Sequence, residues 1–305
     1  MKPSNNVLLI FLLLLNLTCK GQNDGTVRSS DSTQIYFRSF GSGKPLLIIN
    51  GGPGMNSNGF ENLAIKLSAT SKSIIYDQRG TGKSNLTTLN SSTITMDLMI
   101  ADIESLRKYL KIEKWSILGH SFGGMVASYY ATKYPEHIES IILSSSGGID
   151  LELLEYVGER INSKLSKQES DSLSYWNGKI NKGDTSYPTR LGRGRALAPA
   201  YLYNKKNIPF LAERLTQGNA KLNQLMWDDL HKIKFDCSEK LKTFNKPVLI
   251  IQGKQDIIKP ETAEKAHRIL KNSKIVYMEN CGHYGWLDNE TAYFREVNSF
   301  LAPGN

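Results

Sequence analysis

The chain reads as an α/β protein: a mostly parallel sheet covered by helices on both faces, with a helical lid inserted after the sixth strand. Two observations predict this. Short, continuously apolar runs alternate with helical patterns, which is the signature of parallel strands joined by crossover helices. Unbroken rather than alternating hydrophobicity within those runs fits strands buried on both faces. The third element of the prediction, the insertion, comes from residues 149–237, where no strong strand pattern occurs.

Taken in order, residues 26–28 and 34–40 (QIYFRSF) flank the turn sequence SSDST and read as an opening antiparallel hairpin. Buried strands follow at 46–50 (LLIIN), 73–76 (SIIY), 115–118 (WSIL), 141–143 (IIL), 248–251 (VLII) and 275–277 (IVY). Helical patterns occupy 58–69, 96–110, 124–134, 261–270 and 291–301 between and after them. In the strand-free stretch, Leu154, Val157, Ile161 and Leu165 fall at helical spacing, as do Leu222, Leu225 and Met226. Pro188, Pro199 and Pro209 punctuate it. A structureless loop of that length is improbable in a compact domain, so helices are expected. Following the strand at Ile141, the lid should cover the carboxyl ends of the strands, where open α/β sheets bind ligands. The implied organisation is a leader over 1–21, core halves over 25–148 and 238–302, and the lid over 149–237.

With 305 residues and 40% of them hydrophobic, the chain can build a sizeable core and is no disordered polymer. A formal charge of +9 is spread along the sequence, with Arg190, Arg193 and Arg195 the one tight cluster. No nucleic-acid module accompanies it, so nucleic acid is excluded as a partner and the charge reads as general solubility with some preference for anionic partners. At the N-terminus, Lys2 precedes an apolar run over 7–17 (VLLIFLLLLNL), too short to span a bilayer and right for a signal-peptide core. Cys19 follows at once in NLTCKGQ, resembling a bacterial lipoprotein cleavage site whose cysteine becomes lipidated; ordinary cleavage near Gly21 is the rival. Either way the protein is expected to be exported, as a periplasmic protein or a lipoprotein tethered to a membrane. Cys237 and Cys281 then remain, and two cysteines are no disulfide framework.

Gly119-His120-Ser121-Phe122-Gly123 is G-x-S-x-G set between a strand pattern and a helix pattern. A serine on such a turn is lifted clear of its neighbours, with the next helix aiming its N–H groups at the same place. An ordinary serine in a glycine-rich turn is the competing reading of the bare pentapeptide. A serine nucleophile needs a base, and the base needs an orienting acid. Of five histidines, His120 adjoins the serine and should point elsewhere, His137 and His267 sit in helix-end patterns suited to the surface, and His231 ends a lid helix. His283 alone follows a late strand. Asp256 follows the VLII strand, whereas Asp77 and Asp288, the other candidate acids, do not. The order Ser121, Asp256, His283 is that of the α/β-hydrolases. The oxyanion hole falls to the N–H of Phe122, the residue after the nucleophile, and to Gly52 in the loop Asn50-Gly51-Gly52-Pro53-Gly54. This chemistry calls for no metal and no cofactor.

The chain resembles the α/β-hydrolase superfamily and, more narrowly, proline iminopeptidases and related serine aminopeptidases. Gly51-Gly52-Pro53-Gly54, the stretch 77–84 (DQRGTGKS) and 119–124 (GHSFGG) carry the likeness, which runs from about Gln34 to the C-terminus. It implies the same triad and oxyanion roles, with Asp77 and Arg79 as scaffold. One departure is Asn50, where the family commonly has histidine. The family holds the substrate's free amine with acidic lid residues; Glu213, Asp228 and Asp229 are the candidates here, and Tyr201, Tyr203, Phe210 and Trp227 the candidate pocket aromatics. The resemblance implies an acyl-enzyme aminopeptidase acting on short peptides, proline-first for preference. A carboxylesterase or other small ester or amide hydrolase is the alternative. A catalytically silent binding protein on the same fold is the third reading.

Overall fold

The computed structural model describes residues 22–302. Eight strands form one sheet: β1 (Asn23–Arg28), β2 (Gln34–Phe40), β3 (Pro45–Ile49), β4 (Lys72–Tyr76), β5 (Trp115–His120), β6 (Ile138–Ser144), β7 (Val248–Gly253) and β8 (Ser273–Met278), in the order β1-β2-β4-β3-β5-β6-β7-β8. The first two pair antiparallel as a hairpin, and β2 runs antiparallel to β4. From β4 to β8 every pairing is parallel. All the carboxyl ends of β3 to β8 therefore lie along one edge.

The core has two layers because side chains alternate across a strand. Leu47 and Ile49 face one cluster, together with Met99, Ile103 and Leu106 of α2 (Met96–Tyr109) and Val126 and Tyr130 of α3 (Phe122–Lys133). Leu46 and Ile48 face the other, which contains Leu63 and Leu67 of α1 (Glu61–Leu67). Both faces are covered, which is why β3 to β7 read as unbroken apolar runs. The edge strand β8 differs: only Met278 of its six residues is buried.

Between β6 and β7 the chain is helical, with α4 (Val157–Ser163), α5 (Lys167–Asn181), α6 (Tyr187–Tyr201), α7 (Ile208–Leu215), α8 (Ala220–Lys232) and the short α9 (Ser238–Leu241). Local signals set the boundaries. A capping box starts α5, in which Ser166 and Glu169 satisfy each other's backbone N–H groups. Asn219 caps α8 by accepting from the Leu222 N–H. Pro188 and Pro209 occupy first turns, where the missing donor costs nothing. Pro199 lies inside α6, which continues to Tyr201 before Leu202 turns extended. Leu222 and Met226, one turn apart on α8, are fully buried. The chain closes with α10 (Pro260–Ile269), the short α11 (Gly285–Asp288) and α12 (Glu290–Leu301). The leader, including Cys19, lies outside the described residues.

Candidate active site

Ser121 stands between β5 and α3 at φ 55°, ψ −121°, a backbone conformation that L-residues rarely adopt. Holding a non-glycine residue there costs on the order of 1–3 kcal/mol, so the surroundings must fix it. They do so from the neighbouring strand: the Ser121 N–H donates to the Ser144 carbonyl at 3.1 Å. Its own carbonyl accepts from Gly124 and Gly147, each at 2.9 Å. Two glycines make the fit possible. A Cβ on Gly123 would lie 2.1 Å from the Ile49 oxygen, and one on Gly51 would lie 2.6 Å from the Ser121 Cβ. The loop after β3 is thus pressed against the serine turn, as the assignment of Gly52 requires.

Asp256 and His283 meet. The His283 Nδ1–H donates to Asp256 Oδ1 at 2.8 Å, across 27 residues of sequence. Both are buried, at 0% and 2% exposure. Burial works against a charge on Asp256, but the imidazole beside it, that hydrogen bond and the Ile258 N–H prevail, and its carboxyl is held below the usual range. A carboxylate on Nδ1 leaves Nε2 as the nitrogen with a free lone pair. The backbone fixes the ring as well: the His283 N–H donates to the Tyr201 carbonyl at 2.7 Å. His120, immediately before Ser121, places its ring 4.7 Å from the His283 ring. His283 therefore stands against the end of β5 that carries the serine.

His120 does point away from the turn, into a cage of Phe60, Tyr284 and Trp286 at 5.5, 4.9 and 4.8 Å. Its Nδ1 faces the Ser144 carbonyl at 3.1 Å, and Nε2 has no hydrogen-bond partner among the described residues. Burial, with the nearby His283 and Arg214, drives its pKa well below that of an ordinary histidine, so it is a neutral ring. His267 is exposed. His137, expected at the surface, is half buried between Glu104 and Arg107.

The scaffold residues carry out structural work. Asp77 accepts from the Ser57 N–H and hydroxyl and from the Lys83 N–H. Gln78 donates to the Asn50 carbonyl at 2.9 Å, supporting the glycine loop. Arg79, fully buried, forms a two-pronged pair with Asp102 at 2.8 and 2.7 Å. Asn50, standing where the family commonly has histidine, donates to the Gly51 and Met55 carbonyls. Asp288, weighed as an alternative acid, instead accepts from the N–H groups of Gly282, Tyr203 and Asn204.

Of the pocket candidates, Trp227 sets its ring edge-on to the Phe122 ring at 6.0 Å and packs, half-buried, against the core cluster that contains it. Glu213 lies on the exposed side of α7, accepting from the Tyr187 hydroxyl. Asp228 is exposed and accepts from Gln224. Asp229 is committed elsewhere: it is buried and caps α2 by accepting from the Met96 N–H at 2.8 Å. Cys237 and Cys281 are buried free thiols, and burial pushes the Cys237 thiol up to about 12.

Three cations that the motifs did not mark tie the helical segment to the loops of the site. Arg160 and Lys164, one turn apart on and just after α4, donate to the carbonyls of Asp256 and Gln255 at 2.7 and 2.6 Å. Arg214 of α7 donates to the carbonyls of Gly51 and Asn56 and lies over the Phe60 ring. Only the helical i, i+4 spacing of the first pair was visible beforehand.

A parallel sheet with this strand order, a strained serine after β5 and an Asp–His pair after β7 and β8 define a hydrolase of the α/β type. The chain belongs to the alpha/beta hydrolase fold family, which it matches over residues 44–290. More narrowly it resembles proline iminopeptidases. It is 28% identical to the one from Lactobacillus crispatus over 287 residues, covering 88% of this chain and 94% of that protein. With the enzyme from Heyndrickxia coagulans the identity is 26% over 281 residues, covering 88% and 95%. Among solved structures, an alpha/beta fold family hydrolase from Bacillus anthracis superposes with a TM-score of 0.74 at 20% identity, covering 92% of this chain and 99% of that one. An esterase from Exiguobacterium antarcticum gives 0.68 at 21% identity, covering 90% and 98%. At such identities the superpositions speak for the fold alone.

Proposed function

We propose that the protein is a serine hydrolase working through an acyl-enzyme, and that its substrates are short peptides with a free N-terminus, proline-first for preference. The observation that carries the reading is the buried Asp256–His283 hydrogen bond beside a serine held at φ 55°. Ser121 Oγ attacks the scissile carbonyl as His283 Nε2 takes its proton. The N–H groups of Gly52 and Phe122 stabilise the oxyanion. The imidazolium, stabilised by Asp256, then protonates the leaving amine. Water deprotonated by the same nitrogen hydrolyses the ester, returning the proton to Ser121. The relatives' names favour the aminopeptidase, and the structural neighbours include esterases.

Turnover of prolyl, alanyl and N-blocked arylamides and short-chain aryl esters by the purified protein tests this. Free-amine arylamides turned over and blocked ones refused is the expected result. Ester-only turnover makes the protein an esterase instead. A folded protein that turns over none of them, and takes no fluorophosphonate at Ser121, is the silent binder.

The apolar run over 7–17 and the following Cys19 support an exported protein anchored by lipid on that cysteine.

A further inference from the structure

Strand register places the chain's entry at the amino-end edge of the sheet, opposite the site. Asn23, the first residue of β1, pairs with Ser39, and the next residue of β2, Phe40, pairs with Ser73 at the start of β4. Cys19 lies four residues before Asn23, a stretch that spans at most about 14 Å. Anything that holds Cys19 at a surface therefore holds this edge close to it.

That edge is basic. Gly43, Pro45, Lys72, Lys111, Ile112, Glu113 and Lys114 line a shallow cleft there, and exposed Lys44 adjoins it. The Lys72 N–H donates to the Lys44 carbonyl, which joins the backbones of the two residues at this edge. Lys72 opens β4, only two strands from β1, or roughly 10 Å across the sheet. Lys44, Lys72, Lys111 and Lys114 form no ion pair among the described residues, even with Glu113 between two of them. Cations collect at helix C-termini for reasons of the helix dipole, which accounts for Lys111 after α2. It does not account for Lys44 and Lys114, which stand just before β3 and β5, or for Lys72, the first residue of β4.

Four uncompensated charges within reach of the tether suit a negatively charged sheet of headgroups, whose attraction for lysine fades within a Debye length of about 8–10 Å. No helix among the described residues is long and apolar enough to cross a membrane, so contact there is a surface contact. We propose that the amino-end edge of the sheet is a membrane-seating face. With lipid on Cys19, Lys44, Lys72, Lys111 and Lys114 rest against anionic phospholipid headgroups, and the Ser121 end faces the aqueous side. This rests on the reading of Cys19 as lipid-bearing.

The full chain, produced in a bacterium that processes lipoproteins, is reconstituted on phosphatidylcholine vesicles with or without phosphatidylglycerol. Each lysine's acetylation rate is then read by peptide mass spectrometry. On anionic vesicles the four lysines are expected to react at least about threefold more slowly than on neutral ones, with high salt abolishing the difference. Lys206 and Lys221, on the helical segment, are expected not to change. Equal rates on the two vesicle types overturn the proposal. So does protection already present in detergent, which would mean a protein partner or second copy, and so does protection at Lys206 and Lys221 instead. The mass of the N-terminal peptide reports separately on the anchor. If Cys19 carries no lipid, the tether fails by itself, while adding the same vesicles to the unanchored chain still reads the charge of the face.

Discussion

Arg214 donates to the carbonyl oxygen of Gly51 over 3.0 Å, joining positions 163 residues apart. It is 2% exposed and pairs with no carboxylate among the described residues; its other acceptor is the Asn56 carbonyl at 3.2 Å. A helix of the segment between β6 and β7 thereby grips the loop that carries Gly52, the proposed oxyanion donor. Replacing Arg214 with Met keeps much of the volume and strands those carbonyls. A loss of about 1.5–3 kcal/mol in urea unfolding is expected, since bonds from charged donors are the stronger ones. The kcat for an aryl ester should fall more than KM rises, because an oxyanion donor acts on the transition state. Unchanged kcat in the folded variant contradicts the grip on Gly52.

Ser121→Ala should reduce kcat by about 10⁴-fold or more and abolish fluorophosphonate labelling. Wild-type rates should fall in acid, as the base must be neutral to accept the serine proton. A profile with no acid limb, with chemistry limiting, would remove His283 from that role.

Stability should also fall with acid, for a separate reason. The caged His120 has a folded-state pKa well below the 6.5 of a free histidine. Below about pH 6.5 the unfolded chain therefore binds the proton and the folded one does not, so stability drops as pH falls towards the folded pKa and is level above 6.5. Asp256 adds a second decline at lower pH: its depressed folded pKa contributes stability above the unfolded carboxylate value, lost as pH falls through the folded one. Urea unfolding of His120→Gln across pH 5 to 8 should show a shallower slope than the wild type, whatever the offset between them. Parallel slopes would count against a neutral buried ring.

Asp102→Asn leaves the Arg79 guanidinium buried with only Asp31 and the Thr93 carbonyl beside it. A destabilisation of about 1.5–3 kcal/mol is expected, the cost of weakening hydrogen bonds to a charged group that still keeps Asp31 as its counter-charge. Activity per folded molecule should be retained, because Arg79 supports its loop from a distance. A drop in kcat without a drop in stability would give Arg79 a chemical part.

The fold was legible because the central residues of β3 to β7 are buried on both faces, so each strand contains a short, mainly apolar run. Ser121 and Asp256 could be placed at strand ends for the same reason, since each follows one of those runs, whereas His283 follows the short apolar run of the edge strand β8. Arg160, Lys164 and Arg214 were not legible. Their acceptors are backbone carbonyls, which leave no trace in side-chain pattern, and they lie dozens to more than a hundred residues away. The MWDDL pair shows the same limit from another side. Asp228 and Asp229 look equivalent in sequence, yet helix phase exposes one and buries the other against the start of α2. His137 likewise ends a short helical turn suited to the surface, until Glu104 and Arg107 of α2 close over it.

The Tyr201 carbonyl, which receives the backbone N–H of His283, belongs to the last residue of α6. Together with Asp288, Arg160 and Arg214, it makes the inserted helices part of the frame that aligns the reactive groups. Grafting this segment from a relative to change substrate preference would therefore disturb turnover unless these anchoring contacts travelled with it. On the proposed reading, the helical segment and the strand ends would have to be exchanged as one unit.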